Sequence, residues 1–327
     1  MQYTYLGRSG LKVSRLCLGT MNFGRITDEK EAFAIMDKAL EEGITFFDTA
    51  DVYGGPDHRG HTEEILGRWF ALGGGRRESV VLATKVYNNM DESVDGPNDA
   101  RGLSAYKIRR GLKRSLTRLQ TDHIELYQMH HVDRAVSWDE LWGAFEPIVA
   151  SGTVDYIGSS NFGARHLCYA QAAAQARHFL GLVCEQHKYS LVNRLPELEV
   201  LPAAKDLGIG VICWSPLGGG LLSGKALNPE WGSRTAEAVA HMTTETRSQV
   251  EAYESLCKEV GASPSQVALA WVLSHDAVNA PIIGPRTVDQ MTNALAALDV
   301  VLDADVLARL DAIFPGPGGE APEAYAW

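Results

Sequence analysis

Six short apolar runs in this chain each end on a polar or aromatic side chain that is suited to catalysis or ligand binding. Each run is rich in β-forming residues, and a helix-like segment follows it. In a closed parallel barrel the carboxyl ends of all strands open onto one face, so these side chains would surround a single cavity. They are Asp48, Lys85, His130, Asn161, Gln186 and Trp214. An acid, an ammonium, an imidazole, two carboxamides and an aromatic ring in one place indicate an active site.

The alternation of apolar runs with amphipathic segments predicts βαβ units and a parallel sheet. Eight such units fit a (β/α)8 TIM barrel, preceded by a small β-hairpin that turns at Arg8-Ser9-Gly10. A doubly wound sheet fits the same alternation. No linker interrupts the pattern, so we expect one domain over residues 1–327. Strands are expected at about 15–19, 44–48, 80–84, 123–129, 153–158, 182–186, 210–214 and 279–283, and helices at about 28–41, 61–71, 104–118, 137–150, 163–176, 197–207, 263–274 and 287–297.

Local signals refine these elements. Ser263 is followed by Pro264 and Gln266, which predicts a capped helix start, and Asp28 and Thr62 are expected to cap two other helices. The connection over residues 217–262 is longer than the others and is expected to contain a glycine-rich loop and an extra helix at about 244–260. The Pro- and Gly-rich tail after residue 313 is expected to be irregular.

Composition narrows the class of protein. The net charge of −11 argues against nucleic acid and anionic membranes as partners. We see neither a signal peptide nor an apolar run of membrane-spanning length, so we expect a cytoplasmic protein. The five cysteines are scattered, which predicts reduced core thiols and no metal site.

Four residues together suggest how a carbonyl group could be reduced. A free tyrosine titrates near pH ~10, and an adjacent ammonium favours its phenolate. Lys85 is therefore expected to lower the pKa of Tyr53, while Asp48 keeps Lys85 charged and oriented. His130 would bind the same substrate oxygen. Such a site lacks an electron source, which predicts a bound hydride donor.

Taken singly, each of these residues has an ordinary structural interpretation. Tyr53 could be a loop tyrosine, Lys85 a strand-end lysine whose stem packs on apolar surface, and Asp48 a helix cap. His130 could form a structural pair with the neighbouring His131. Their joint occurrence at the strand ends of one βα array favours the catalytic interpretation.

The remaining strand-end residues suit a nicotinamide ring. Asn161 and Gln186 match a carboxamide, Ser160 could add a hydroxyl, and Trp214 offers a flat face for stacking, or is a core aromatic. The glycine-rich loop 215–225 could bring backbone N–H groups to a pyrophosphate. It nearly matches a P-loop, but alanine stands at 226 where Mg²⁺ binding needs Ser or Thr, and no GxGxxG opens the first helix.

Arg286 follows the last strand and precedes a helix, which favours a 2′-phosphate and hence NADP over NAD, unless it is a surface arginine. The sequence therefore predicts NADPH (NADP⁺) as the cofactor.

Several segments together resemble the aldo-keto reductase family over nearly the whole chain. They are LGTMNFG (18–24), FDTADVYG (47–54), GHTEEILG (60–67), ATK (83–85), IELYQMHH (124–131), GSSNF (158–162), CWSPLGGGLLSGK (213–225) and IIGPRTVDQ (282–290). The resemblance implies a TIM barrel that binds NAD(P)H, with Asp48, Tyr53, Lys85 and His130 as catalytic residues. It implies cofactor contacts from Gly19, Thr20, Met21, Asp48, Ser160, Asn161, Gln186, Trp214, Ser215, Leu217, Gly219, Lys225, Gly284, Arg286, Gln290 and Asn293, and substrate contacts from Met21, Tyr53, His130 and His131.

Two positions depart from the family's pattern. Ala294 replaces an asparagine that often contacts adenine, and the contact is either lost or moved to Asn293. His131 stands where related subfamilies often have Arg or Trp, so the pocket wall differs.

The leading hypothesis is an NADPH-dependent oxidoreductase that reduces an aldehyde or ketone, with Tyr53 as the general acid. Resemblance to actinobacterial reductases of nucleotide-linked keto- or enoyl-deoxysugars suggests one substrate class, and the loop His58-Arg59-Gly60-His61 could meet its anionic part. A Schiff-base aldolase that uses Lys85, and a weakly catalytic, redox-sensing NADP-binding subunit, are the alternatives. The oligomeric state and the direction of reaction stay open.

Overall fold

The computed structural model describes residues 1–91, 93–228, 236, 239–240 and 242–326. Strands β1 (Tyr3–Tyr5) and β2 (Lys12–Ser14) pair antiparallel as a hairpin, which confirms that prediction. The strands that follow are β3 (Cys17–Gly19), β4 (Phe46–Asp48), β5 (Val81–Val86), β6 (Ile124–Met129), β7 (Val154–Ser160), β8 (Leu182–Lys188), β9 (Gly210–Trp214) and β10 (Val278–Ile283). They form a closed parallel barrel in the order β10-β3-β4-β5-β6-β7-β8-β9. The predicted TIM barrel is confirmed.

The closure of the barrel excludes the doubly wound alternative. Strand β10 pairs with β3, so that Ile282 is opposite Cys17 and Ile283 is opposite Leu18. An open doubly wound sheet has no such pairing between its first and last strands. Each observed strand lies within three residues of its predicted bounds, because apolar runs followed by helix signals define a buried parallel strand clearly.

Helices alternate with these strands. Their bounds are α1 (Glu29–Glu41), α2 (His61–Ala71), α3 (Ala105–Leu119), α4 (Trp138–Ala150), α5 (Ala164–Ala176), α6 (Val200–Leu207), α7 (Thr244–Val260), α8 (Pro264–Ser274), α9 (Val288–Leu295), α10 (Ala304–Ile313) and α11 (Glu323–Ala326). The extra helix in the long connection is α7, as predicted. Residues 229–235, 237–238 and 241 of that connection, and residue 327 of the predicted tail, lie outside the described residues.

Helix α10 and the 3-10 segment Ser93–Asp99 are among the helical segments that were not predicted. Helix α10 had sequence signals that were not used: Asp303 caps it, and apolar residues recur at helical spacing at 306, 307, 310 and 313 and pack against the core. The 3-10 segment Ser93–Asp99 contains Gly96 and Pro97, which mark a loop in a sequence-based interpretation. In the predicted irregular tail, the described residues are irregular up to 322, where α11 follows.

The helix starts test three predicted caps. Asp28 accepts a hydrogen bond from the N–H of Glu31, and Ser263 forms a full capping box with Gln266, so these two predictions are confirmed. The prediction for Thr62 is wrong. The chain enters α2 through Gly60 in a left-handed conformation, and the Thr62 hydroxyl donates instead to the carbonyl of Phe23.

The interior of the barrel is closed at its amino-terminal end by the hairpin. Leu6 and Val13 join an apolar cluster with Phe46, Ala83 and Leu126, whose side chains are all fully buried. Apolar side chains fill this end of the barrel, so the barrel is open to solvent at the carboxyl ends of the strands. Among the described residues, no helix is long and apolar enough to cross a membrane.

Candidate active site

A cavity of about 740 Å³ opens at the carboxyl ends of the strands. Its wall contains all but one of the residues that the family resemblance assigned to catalysis, cofactor or substrate. They are Gly19, Thr20, Met21, Asp48, Tyr53, His130, His131, Ser160, Asn161, Gln186, Trp214, Ser215, Leu217, Gly219, Lys225, Gly284, Arg286, Gln290 and Asn293. The exception is Lys85, whose side chain is fully buried behind Asp48 and Tyr53. The loop His58-Arg59-Gly60-His61, expected to meet an anionic substrate, does not line the cavity.

The Lys85 ammonium is held by three oxygen atoms. Its Nζ lies 2.6 Å from Asp48 Oδ2, 2.8 Å from the Thr49 carbonyl and 3.2 Å from Tyr53 Oη. An ammonium has three donors, and all three are used here. The phenol of Tyr53 is therefore placed at the cavity wall with a fixed cation beside its oxygen.

Burial and neighbouring charges have opposing effects on the pKa values of Lys85 and Tyr53. Burial lowers the pKa of Lys85, but Asp48 and Tyr53 raise it more, and the net pKa is raised. Burial raises the pKa of Tyr53, Lys85 opposes that increase, Asp48 adds to it, and the net pKa is raised too. The predicted lowering effect of Lys85 on the pKa of Tyr53 is therefore present, but burial and Asp48 outweigh it, so the pKa does not fall below its ordinary value. The phenol is protonated at neutral pH, which is the form a proton donor needs.

His130 lies across the cavity from this pair. Its ring centroid is 6.0 Å from that of Tyr53, at an angle of 81°. Burial, with further contributions from Lys85 and His131, holds the pKa of His130 well below its usual range, so the imidazole is neutral. The amide of Asn88 lies 3.2 Å from its Nδ1. If the amide nitrogen donates there, Nε2 carries the hydrogen and can donate to a ligand.

The predicted carboxamide-binding residues are joined to one another. Asn161 donates to the His130 carbonyl (3.1 Å) and to Ser160 Oγ (2.9 Å), and its side-chain oxygen accepts from Trp214 Nε1 (3.1 Å). Ser160 in turn donates to the Gln186 carbonyl at 2.9 Å. Asn161 has a positive φ of 61°, a conformation that asparagine tolerates better than most residues. This network fixes the amide and the indole before any ligand arrives.

The glycine-rich loop partly differs from its predicted form. The N–H groups of Gly218 and Gly220 bond to the carbonyls of Ser215 and Leu217 inside the loop. These two N–H groups are thus engaged in the loop's own turns, not directed at a pyrophosphate as the sequence analysis expected of the loop as a whole. The loop still lies on the cavity wall, with Lys225 at its end.

The far end of the cavity contains the remaining predicted residues. The backbone N–H of Arg286 donates to Gln290 Oε1 at 2.9 Å, which ties the strand end to α9. Asn293 is held by α8, since its Nδ2 donates to Ser265 Oγ at 2.8 Å and its oxygen accepts from Gln266. Ala294 lines the cavity beside it.

Comparison with known proteins places this geometry in a family. The model of the Aldo/keto reductase family matches residues 15–314. The chain belongs to the aldo/keto reductase family. It is 63% identical over 327 residues, all of both chains, to "Uncharacterized oxidoreductase YrpG" of Bacillus subtilis (strain 168).

More distant relatives carry different names. The chain is 33% identical to "Probable voltage-gated potassium channel subunit beta" of Oryza sativa subsp. japonica over 96% of each chain. It is 31% identical to "Versiconal hemiacetal acetate reductase" of Aspergillus parasiticus over 97% of this chain and 99% of the relative. The aldo/keto reductase assignment makes the protein an oxidoreductase, and leaves its substrate to be argued.

Three polar residues of this aldo/keto reductase were not singled out from the sequence. Gln128 donates to Asp48 Oδ1 at 3.0 Å, beside Gln186, which donates to the same oxygen at 2.8 Å. Asn88 contacts His130, and Asn22 donates to the Gly284 carbonyl at 2.9 Å. Gln128 had a usable signal: it lies two residues before His130 in β6, opposite Lys85 in register. Asn88 and Asn22 lie in loops, where periodicity offers no such guide.

Proposed function

We propose that the protein is an NADPH-dependent reductase of aldehydes or ketones, in which Tyr53 is the general acid and Asp48, Lys85 and His130 support it. The observation that carries the proposal is the position of Tyr53 Oη, 3.2 Å from a buried, triply hydrogen-bonded ammonium, at the wall of a cavity of about 740 Å³. This volume falls in the range of pockets that bury small ligands and cofactors.

The chain's residues divide the work on a carbonyl oxygen. Tyr53 and the neutral His130 both donate hydrogen bonds to that oxygen, which polarises the C=O bond. As charge develops on the oxygen, Tyr53 transfers its proton and the Lys85 ammonium stabilises the phenolate that forms. Asp48, fixed by Gln128 and Gln186, keeps the ammonium aligned. The raised pKa of Tyr53 keeps its phenol protonated at neutral pH. The adjacent Lys85 ammonium stabilises the phenolate and so lowers the barrier to proton transfer.

The residues around the cavity fit a nicotinamide dinucleotide. Asn161 and Gln186 suit the carboxamide, Trp214 the ring, the loop 215–225 the pyrophosphate, and Arg286 and Gln290 an adenosine 2′-phosphate, with all of them on one continuous wall. NADPH supplies the hydride when it is bound. The first-strand turn of Gly19, Thr20 and Met21, together with Ser160, Gly284 and Asn293, completes the proposed cofactor contacts.

The central experiment replaces the proposed acid. We expect Tyr53→Phe to lower kcat/KM for carbonyl reduction by about 10²–10⁴-fold while NADPH binding, measured by calorimetry, is kept. Tyr169→Phe is the matched control, because Tyr169 is 60% exposed on α5 and its loss should change nothing. A Tyr53→Phe enzyme that reduces carbonyls at the parent rate would disprove the assignment.

The preference for NADPH rests on Arg286, which is half-buried at the cavity wall. A charge-assisted hydrogen bond contributes about 1.5–3 kcal/mol, so Arg286→Ala should raise the Kd for NADPH by roughly 10- to 100-fold. NADH lacks the 2′-phosphate, and its Kd in the same variant is the internal control. Equal weakening of both cofactors would contradict the proposed role of Arg286.

For the substrate, we propose a nucleotide-linked keto- or enoyl-deoxysugar as the class to test against simple aldehydes and ketones. The wall outside His130 is made by His131, whose ring is 5.4 Å from that of His130 and 5.3 Å from that of Tyr87. Stacked imidazoles and a phenol suit a polar ring with hydroxyl groups. In a substrate panel with NADPH, a sugar nucleotide with kcat/KM no better than that of a simple aldehyde would remove this class.

Two other functions make different predictions for the same residues. A Schiff-base aldolase needs a neutral lysine amine, whereas the pKa of Lys85 is raised on balance by Asp48 and Tyr53 over the lowering effect of burial, so the ammonium persists. A redox-sensing subunit has the support of the relative named as a potassium channel subunit. It predicts NADPH binding with negligible turnover of every carbonyl in the panel, which the same experiment measures.

A further inference from the structure

Two histidines and a glutamate meet beside the loop that carries Tyr53, outside the cavity lining. His58 lies in the loop, His61 is the first residue of α2, and Glu64 lies one turn further along the same helix. His58 Nε2 is 3.2 Å and His61 Nδ1 is 3.1 Å from the same oxygen, Glu64 Oε2. We call these residues the His–His–Glu cluster. Within the part of the chain that the structure describes, it is the one group of three such side chains whose ligand atoms all lie within 4.8 Å of one another.

The spacing of these atoms is close to that of ligands around a metal ion. Zinc bonds of about 2.0–2.1 Å in a tetrahedral site place neighbouring ligand atoms roughly 3.3 Å apart. The two imidazole rings are stacked, with centroids 4.2 Å apart and planes at 24°. A bound ion lies in the plane of each imidazole ligand, so the exposed His58 ring must rotate out of this stack for both rings to bind one ion beside the carboxylate. We propose that His58, His61 and Glu64 bind a divalent transition-metal ion of the Zn²⁺ class.

The chemistry of the donors selects this class of ion. Two imidazoles and one carboxylate suit zinc and its neighbours, whereas Mg²⁺ and Ca²⁺ prefer oxygen ligands alone. The His58 side chain is 56% exposed, so an ion can enter from solvent, while His61 and Glu64 are 25% and 34% exposed. Three protein ligands leave room for water to complete the coordination.

The backbone of the cluster is built by close packing at two glycines. A Cβ at Gly54 would lie 2.4 Å from the His58 carbonyl oxygen and 2.7 Å from His61 Cβ. A Cβ at Gly24 would lie 2.3 Å from His61 Cδ2. Both glycines have positive φ, at 128° and 79°. A side chain at either position would therefore clash with the cluster. The two glycines allow the loop to pack closely against α2, which holds the two histidines near each other.

Backbone hydrogen bonds connect the His–His–Glu cluster to Tyr53. The Tyr53 carbonyl accepts hydrogen bonds from the N–H groups of Gly60 (3.0 Å) and Thr62 (3.3 Å), on either side of His61. An ion on His58, His61 and Glu64 would link the loop after Tyr53 to the start of α2, and none of these three residues lines the cavity of about 740 Å³. The inference does not depend on the proposed reductase activity, because it concerns binding and stability.

The test uses the full-length protein after treatment with a chelator. Titration with ZnCl₂ in competition with a chromophoric zinc chelator should show saturable binding of one ion per chain, and saturating Zn²⁺ should raise Tm by roughly 2 °C or more. His58→Ala and Glu64→Gln should each weaken Zn²⁺ binding by at least about tenfold and remove the Tm increase. Mg²⁺ should produce neither effect.

A matched control separates the cluster from an ordinary histidine–carboxylate pair. His123 lies 2.7 Å from Asp122 and 3.2 Å from Glu125, with no second imidazole in the group. His123→Ala should bind Zn²⁺ like the parent. Because His58 is exposed, His58→Ala should fold normally even if a change at His61 does not, and circular dichroism checks this. No saturable binding in the parent, or binding that His58→Ala and Glu64→Gln leave unchanged, would overturn the proposal and show a hydrogen-bond network only.

Discussion

Two layers of side chains inside the same barrel differ in chemistry although they lie two residues apart on the same strands. The apolar layer consists of Phe46, Ala83, Leu126, Cys184 and Ile212, and the polar layer, two positions later on each strand, consists of Asp48, Lys85, Gln128, Gln186 and Trp214. Side chains at i and i+2 of a strand point to the same side, so both layers face the barrel axis. The change from apolar to polar therefore marks a change of depth along the axis.

The comparison shows that burial alone does not separate core from site. Lys85 and Gln128 are as fully buried as Phe46, with no exposed surface. What distinguishes the polar layer is that its members satisfy one another: Asp48 accepts from Lys85 at one oxygen and from both glutamines at the other. Such a network is stable while complete and expensive when a member is removed. The apolar layer should respond to mutation through packing, and the polar layer through both charge and catalysis.

The largest expected effect comes from Lys85→Met. It removes the cation beside Tyr53 and leaves Asp48 buried without its ion pair, so we expect kcat/KM to fall by about 10²–10⁴-fold and the free energy of unfolding by about 3–5 kcal/mol. Steady-state kinetics and urea denaturation measure the two effects. Lys12→Met, at an exposed hairpin position, is the control. Activity within about tenfold of the parent would show that the polar layer is not the catalytic one.

Phe46→Ala tests the apolar layer two residues away. Phe46 is fully buried, and its truncation should cost about 3–5 kcal/mol of unfolding free energy through the lost burial and the cavity left behind. Activity per folded molecule at 20 °C should stay within about threefold of the parent, because Asp48 keeps its own partners. Denaturant unfolding and kinetics on the same preparation decide this. A folded Phe46→Ala protein with activity reduced as far as in Lys85→Met would mean that the two layers act as one unit.

The same comparison explains what the sequence could predict. Strand ends were predictable because a buried parallel strand is a continuous apolar run, and the first polar residue after such a run lies at the open face. Asp48 was found in this way, and Lys85 and Gln186 each follow their apolar run after one further polar residue, Thr84 and Glu185. Gln128 was missed because it lies inside its run, one residue before Met129, although its spacing of two residues from His130 indicates the same inward face.

Other features depend on three-dimensional packing that no local pattern contains. The net direction of the Tyr53 pKa results from burial against the charge of Lys85, and the sequence shows the charge but not the burial. Thr62 has the residue type and position of a helix cap, yet the left-handed entry at Gly60 turns it toward Phe23. The spacing of His58, His61 and Glu64 along the chain becomes a cluster only because Gly54 lets the loop fold back on α2.

Asn88 offers a smaller test of the polar side of the cavity. Its amide contacts Nδ1 of His130, so Asn88→Ala should loosen the imidazole and allow either tautomer, and kcat should fall roughly tenfold with little change in KM. Asn89→Ala is the control, because the Asn89 side chain instead binds the guanidinium of Arg59 and the N–H of Asp91. Equal kinetics in the two variants would remove Asn88 from the site. A loss confined to KM would assign it to substrate binding.

The smallest expected effect on activity belongs to a variant that separates two buried acids three residues apart in the chain. Asp48 has three side-chain partners, whereas among the described residues neither oxygen of Asp51 accepts a hydrogen bond of normal geometry. Burial, with the charge of Glu63, raises the pKa of Asp51 from 3.8 to about 8, against the lowering effects of Arg118, Lys107 and the nearby N–H of Val52. Between pH 3.8 and about 8, Asp51 is therefore protonated in the folded chain and ionised in the unfolded chain.

Because the folded state binds more protons over that window, Asp51 makes the protein less stable as pH rises from 3.8 to about 8. Asp51→Asn removes this dependence. The difference in unfolding free energy, variant minus parent, should increase by on the order of 1 kcal/mol for each pH unit of increase. Urea denaturation at several pH values inside the window measures it. Histidines titrate in both proteins, so their contribution cancels in the difference. A difference that does not change with pH would mean that Asp51 is ionised in the folded protein, and that a buried acid here tolerates its charge without the partners that Asp48 has.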